Sequence, residues 1–352
     1  MAMQVDPATL PEPQPVARLG GLKLAASILT ILGLILFGYF VYAVGLGEIL
    51  DGVTRFGIAG FAVIVAIYSV RICSRSLAWQ LCIGEPHSLR ITDTVPAVII
   101  GEALSSTIPI GIAISGTAKA IAVRKRIPLV VGFSSIATEN LFYSLITTLF
   151  LISGAVVLLR TFTLDATLIA AVNVLIVILF VLIGLGFLLV IRQWHAASAV
   201  CEWLYGKGVL PRLLENGRVN VRRVEDLIYQ FYRRYPRRFL PICLFELLYH
   251  VVGIVEVWYI LSRLSDAAPT LLGAFLLESI SRLITIIFKL IPFLVGVDEA
   301  GAQMLTETLG LGVGLGVTLA VIRKGRMLFW AAVGFAIIVK RQFSFRSTLP
   351  TD

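Results

Sequence analysis

Charge is scarce in this chain. Of its 352 residues only 14% are Asp, Glu, Lys or Arg, while 58% are hydrophobic and the mean hydropathy is +0.93. A soluble domain of this size carries roughly a quarter charged residues, so the composition excludes a water-soluble fold and predicts a chain that lives in lipid. Histidine is rarer still, at three residues, and His87, His195 and His250 fall far apart. The four cysteines (Cys73, Cys82, Cys201, Cys243) form no CxxC pair, which argues against a disulfide framework or a metal site and for small apolar fillers. HExxH, GxSxG and clustered Asp pairs are lacking, so the sequence shows none of the common hydrolase or metalloenzyme signatures, and no cofactor is expected.

Apolar runs are what the chain has in quantity. A helical span needs about 20 apolar residues. Residues 22–44, 57–78, 134–159, 166–191 and 239–261 meet that length, and 91–123, 269–305 and 309–339 are apolar but interrupted. The net charge of +9 is concentrated at Arg124-Lys125-Arg126, along 212–238 (with Arg222 and Arg223 among its members) and at Lys340-Arg341. Between apolar spans such clusters mark cytoplasmic loops and a membrane surface rather than nucleic-acid binding. Residues 1–20, rich in Pro, are expected to be a disordered cytoplasmic tail, and 341–352 a second cytoplasmic tail.

One stretch, 108–140, is echoed by 291–323. Each opens on Ile-Pro inside an apolar run, passes through Gly and small residues, and then enters a long apolar segment carrying charge well inside it, at Glu139 or Arg323. The two Ile-Pro pairs lie 183 positions apart, and at that offset the flanking apolar runs also superpose. Broken apolar segments at matching places in two halves predict a binding site near the bilayer midplane. The breaks are Pro109 with Gly111, and Pro292 with Gly296; Ser105-Ser106-Thr107 offer hydroxyls beside the first. A hairpin turning at mid-depth is tolerated only where protein or water covers its backbone, so each turn should line a cavity.

The predicted fold is all-α and polytopic, with about six to eight transmembrane helices and two re-entrant hairpins in an inverted repeat. The expected halves, about 22–191 and 239–340 within a membrane domain of 21–340, are joined by a cytoplasmic amphipathic segment, 192–238. Each half holds three crossings and one hairpin, and an odd number of crossings inverts the second half. Both termini are then cytoplasmic and the hairpins enter from opposite sides. The near absence of Lys and Arg around 305–311 fits an outside turn. A reading with 91–108 and 269–290 as full spans, giving eight, stays open. Between 309 and 339 the charges Arg323, Lys324 and Arg326 leave one long tilted helix with Arg323 turned inward, or two short half-spans.

Charged residues inside apolar segments cost at least ~2.5 kcal/mol each, so they should face a bundle interior or water. Glu278, Arg282, Thr285 and Lys289 share one helical stripe. Arg71 and Arg75, at i,i+4, either snorkel to headgroups or clamp a phosphate at a cavity mouth. Asp298 and Glu299 stand at a helix start, where acidic residues are favoured. Glu246 and His250 share another face, as packing residues or a proton relay. In 212–238 the residues Val221, Val224, Ile228, Phe231 and Tyr235 recur at helical spacing, which predicts a helix that lies on an anionic leaflet, packs on the span ends, or both.

At this point the chain resembles a known family, the membrane-embedded flippase region of lysylphosphatidylglycerol synthases and related stand-alone flippase-like proteins, hopanoid-associated members included. Pro109, Gly111, Gly116, Arg124 and Glu139 match its first half; Pro292, Gly296, Glu299, Gly301 and Arg323 match its second. PFLVGVDEAG followed by TLAVIRKGRMLFW is the most specific part. Two departures stand out. Glu139-Asn140 with Ser144 replaces the usual Glu-Arg with a following Asp, and Pro109-Ile110-Gly111 lacks the usual Arg. The aminoacyltransferase domain that follows in the synthases is expected to be absent.

The resemblance implies a lipid translocator of the bacterial inner membrane rather than an enzyme. It would move an anionic phospholipid or a polyisoprenoid- or hopanoid-type lipid through a groove bearing Glu139, Asn140, Glu278, Arg282, Lys289, Glu299 and Arg323. The alternative is a non-transporting accessory or scaffold subunit of a lipid-modifying system.

Overall fold

A computed structural model describes residues 42, 46–107, 111–162, 166–208, 211–265, 268–288, 291–311 and 314–346. Those residues are helical almost throughout, with no strand among them. The helices are α1 (Leu46–Leu81), α2 (Ile91–Thr107), α3 (Gly111–Ala122), α4 (Leu129–Thr161), α5 (Ala166–Arg192), α6 (Ala196–Gly206), α7 (Pro211–Arg234), α8 (Phe239–Leu264), α9 (Leu271–Ile287), α10 (Val297–Thr308) and α11 (Leu315–Arg346). Four stretches, Ile49–Leu81, Leu129–Thr161, Ile169–Arg192 and Pro236–Leu264, are long and apolar enough to cross a membrane. α5 makes the case most plainly. It is apolar on every face, packs along α4, and leaves Val174, Val177, Phe180, Val181 and Leu185 exposed, which is stable only against lipid. This is an all-α polytopic membrane protein. The expected first span, 22–44, lies outside the described residues except for Tyr42, as does the tail at 1–20; of the tail expected at 341–352, residues 341–346 continue the last helix, α11, and 347–352 lie outside the described residues.

The order long helix, 17-residue helix, 12-residue helix, long helix occurs twice, as α1–α4 and as α8–α11. Packing repeats with it. The pairs α1/α2, α2/α3, α3/α4 and α1/α11 have as counterparts α8/α9, α9/α10, α10/α11 and α8/α4, and the cross-pair α2/α11 has α9/α4. The central pair, α1 and α8, is antiparallel. Phe56 meets Tyr259 at one end and Ser74 Oγ donates to the Phe245 carbonyl at 2.5 Å toward the other. Equivalent helices running in opposite directions make the repeat inverted.

Both short-helix pairs are hairpins. Gly101 faces Ser115 and Lys119 across the first, and Gly301 faces Ile284 across the second. A 12-residue helix rises about 18 Å, short of a hydrocarbon layer about 30 Å thick. Between α2 and α3 lie 108–110, so Pro109 lies outside the described residues. The second hairpin turns through a short 3-10 segment, Pro292–Leu294, in which Phe293 and Leu294 both have φ of 53°. Two successive non-glycine residues in the left-handed region are uncommon and cost energy that surrounding packing must offset. Gly296 follows at φ 84°, where a glycine fits without strain. Its N–H donates to Glu299 Oε2 at 2.8 Å, closing the start of α10.

The hairpins approach from opposite ends. Arg126 lies 3.5 Å from Asp93, Tyr235 OH accepts from the Glu85 N–H, and Arg238 donates to the Ile83 carbonyl at 2.8 Å. Ile337 packs in the same cluster as Trp79 and Leu89. Among the described residues the basic clusters therefore gather at the end where α2 begins and α3 ends. The amphipathic α7 joins them there, with Phe231 buried against Ala78, Phe142 and Ile242, so its apolar face docks on the span ends while Arg222 and Arg223 stay exposed. Of the two readings for 309–339, the structure shows the single long helix, α11. Along it Leu319 and Ile322 join the core around the second hairpin, and Trp330, Val333 and Ile337 the core around the first. Arg323 and Arg326 come between them.

Candidate functional site

Glu278, on α9, has no exposed surface and is held by three guanidinium groups. Arg282, one turn along, donates to Oε1 at 2.7 Å; Arg71 of α1 reaches the same oxygen at 3.1 Å; Arg323 of α11 donates to Oε2 at 2.9 Å and to Ser281 Oγ at 3.0 Å. Glu256 of α8 pairs with Arg326 and with Arg71 at 3.5 Å. Glu139 of α4 takes Arg75, at 2.9 Å from Nε and 2.5 Å from Nη2. Three carboxylates thus hold five arginines drawn from three helices. Isolated charges at this depth would be prohibitively costly to desolvate, and shared pairing is what makes them tolerable. Arginine also stacks. Arg71 lies 4.1 Å over the Tyr249 ring, Arg75 4.3 Å over Tyr143, and Arg326 3.9 Å over Tyr68.

All five arginines line one cavity of about 200 Å³. Ser105 and Ser106 come to its wall from the first hairpin; Ile291, Phe293, Leu294 and Asp298 come from the second. The tips of the two hairpins therefore meet there. Glu102 also lines it and accepts from Tyr68 OH at 3.0 Å. Hydrogen-bond donors remain in surplus. The Nε atoms of Arg71, Arg282 and Arg326 and the indole nitrogen of Trp330, all on lining residues, are buried with no acceptor. Such donors cost free energy unless an acceptor arrives. A second, apolar cavity of about 890 Å³, lined by α4, α5, α6 and α7, lies beside the first. Asn140 lines it and its Oδ1 is 3.4 Å from Arg75, which lines the arginine cavity.

The residues singled out from sequence separate into groups. Arg282 and Arg323 line the cavity, Glu278 stands behind its wall, and Glu139 holds Arg75 on it. Glu299 does not line it; it caps α10 and pairs with Lys324. Asn140 is exposed and faces the apolar cavity. Lys289 lies outside the described residues, so the stripe extends from Glu278 to Thr285. Arg124, Lys125 and Arg126 form the exposed turn between α3 and α4. Arg71 does not snorkel: 1% of it is exposed, at the centre of the bundle. Sequence reasoning missed Glu256, Arg326 and the rings of Tyr68, Tyr143, Tyr249 and Trp330 as site residues. Arg326 carried a signal, standing one helical turn after Arg323; the aromatics carried none, since they are common in apolar helices.

No curated protein and no solved structure matches the chain. The family model described as the lysylphosphatidylglycerol synthase TM region matches residues 22–334, nearly the whole length. With that match, this membrane protein belongs to the lysylphosphatidylglycerol synthase transmembrane-region family.

Proposed function

We propose that the chain moves a lipid with an anionic headgroup across the bacterial inner membrane, acting as a translocator rather than an enzyme. The observation that carries this reading is the convergence of five guanidinium groups on one cavity between two hairpin tips. An anionic headgroup supplies the acceptors that the arginine and indole donors lack, and planar guanidinium forks match phosphate oxygens in pairs. Carboxylates on the far side of each arginine keep the groups in place while the cavity is empty. The adjoining apolar cavity between α4, α5 and α7 suits acyl chains, with the Arg75–Asn140 contact at the boundary between head and tail. Approach of one hairpin from each side lets the cavity open alternately, the arrangement by which inverted repeats give two-sided access.

The test is a liposome assay. Purified protein reconstituted with fluorescent phosphatidylglycerol should make the inner-leaflet probe accessible to a membrane-impermeant quencher, with phosphatidylcholine moved far more slowly. Arg282→Gln, which leaves Glu278 with two arginines, should lower the rate at least tenfold. Equal rates for both lipids, or for both proteins, would refute the reading.

A further inference from the structure

Along α6 the exposed residues Ala196, Ala199, Val200 and Trp203 recur three or four positions apart and so share one face. Ser198, Cys201, Leu204 and Tyr205 occupy the opposite face and are withdrawn from solvent, where α6 packs on α7. Val200 is 56% exposed and Trp203 58%, an apolar stripe that water would disfavour. The stripe cannot easily turn inward, because α6 is tied to α7. Buried Glu225 of α7 closes the first turn of α6, accepting from the Ala197 N–H at 2.8 Å and from Ser198 Oγ at 2.6 Å. His195 Nε2 meets Asp226 Oδ1 at 2.8 Å, and Tyr229 OH donates to the Trp194 carbonyl at 2.5 Å. α7 in turn docks on the span ends through Phe231, which leaves α6 as the outer of the two helices.

Continuity and charge together identify what covers the stripe. It begins where the lipid-facing helix α5 ends, and the exposed apolar surface of Val174, Val177 and Val181 carries on through Ile191 and Trp194 to Val200 and Trp203. Exposed Arg192 stands at the near end of the stripe and exposed Lys207 at the far end, with Lys207 Nζ 4.2 Å over the Trp203 ring. On α7, Arg222 and Arg223 are exposed, and Arg218 lies 4.2 Å over the Tyr205 ring of α6. Glu202, the one acidic residue of α6, projects roughly 100° away from the centre of the stripe. Tryptophan beside lysine at the rim of an apolar band suits the boundary between headgroups and acyl chains. We propose that α6 lies in the headgroup layer of the anionic leaflet at the basic end, with Val200 and Trp203 sunk toward the acyl chains and Arg192 and Lys207 on lipid phosphates. This placement does not depend on what the chain transports. It also sets Trp194, which lines the apolar cavity, at the level of that leaflet, so the cavity opens where lipid can reach it.

The test uses the full-length protein with Cys73, Cys82, Cys201 and Cys243 replaced by serine or alanine and a fluorophore attached at Val200→Cys. It is reconstituted in phosphatidylcholine bilayers with or without phosphatidylglycerol, and quenching by nitroxide-bearing lipids is compared with quenching by acrylamide in the water. A label at Val181→Cys, on the exposed face of α5, should be quenched by lipid in both bilayers and so reports that the protein has inserted. With phosphatidylglycerol present, lipid should quench the Val200→Cys label about threefold more than acrylamide does. Without it, or with Arg192→Gln and Lys207→Gln combined, the preference should shift toward acrylamide. Dominant acrylamide quenching in the mixed bilayer overturns the placement, and so does lipid quenching that is the same in both bilayers. Protection from both quenchers would mean that protein, a second copy included, covers the stripe, and overturns it as well.

Discussion

Glu278 is the residue on which most of the charge balance turns, since three arginines from three helices share its two oxygens. Breaking a buried ion pair by removing one partner costs about 3–5 kcal/mol, because the charge left behind remains buried and unpaired. Glu278→Ala leaves three such charges facing one another. The expected outcome is a protein that unfolds in detergent at a much lower temperature than wild type, seen in a thermal melt followed by tryptophan fluorescence. Arg126→Ala, which removes an exposed pair with Asp93, should leave the melt unchanged. A melt unaltered by Glu278→Ala would mean that these arginines are solvated from elsewhere. Much of this residue-level chemistry was legible beforehand. A charge inside an apolar run must be paired, and the spacing of Glu278, Arg282 and Thr285 announced a shared face. The partners were not legible, because Arg71, Glu256 and Glu278 meet across separations of 185 and 207 positions and no local pattern encodes them.

Among the elements, the hairpins depend on close helix approach, and glycine permits it at a few positions. Gly316, at the start of α11, is the tightest against backbone. A Cβ there would stand 2.4 Å from the backbone of Ala302 and Gln303 on α10, and backbone cannot rotate away as a side chain can. Gly316→Ala should therefore push α10 off α11 and loosen the second hairpin, lowering the thermal midpoint and raising hydrogen exchange in 297–308. Gly184→Ala, on the lipid-facing α5 with nothing within 4 Å, should change neither. Equal behaviour of the two variants would mean that α10 is not held against α11. The second break falls where the sequence put it, at Pro292, since proline removes a helix donor and clashes with the preceding turn, while Pro109 lies outside the described residues. Element ends were less legible. The notable case is α7, whose apolar face fits a leaflet and a protein surface equally well, and only the neighbours Ala78, Phe142 and Ile242 decide between them.

Taken whole, the molecule joins a nearly symmetric scaffold to an asymmetric set of charges. Helix lengths and helix pairs repeat between the halves, yet α1 brings Arg71 and Arg75 where its counterpart α8 brings Glu246, His250 and Glu256. Symmetry accounts for why the hairpin tips meet: equivalent breaks in inverted halves approach the same level from opposite ends. Asymmetry accounts for the chemistry there, since Arg71 of the first half reaches Glu256 and Glu278 of the second, while Arg75, Arg282, Arg323 and Arg326 pair with carboxylates of their own half. The repeat was visible in sequence as pattern rather than identity, because the scaffold constrains apolar length and break position while leaving the side chains free to diverge.

The central claim is that the meeting point is a wet, cationic pocket, and Ser106 on its wall gives the most direct access to it. With Cys73, Cys82, Cys201 and Cys243 replaced by serine or alanine, Ser106→Cys can be titrated with thiosulfonate reagents of opposite charge. The anionic reagent should modify it at least tenfold faster than the cationic one, and short-chain phosphatidylglycerol should slow that reaction. No modification by either reagent, or faster modification by the cationic one, would contradict the account.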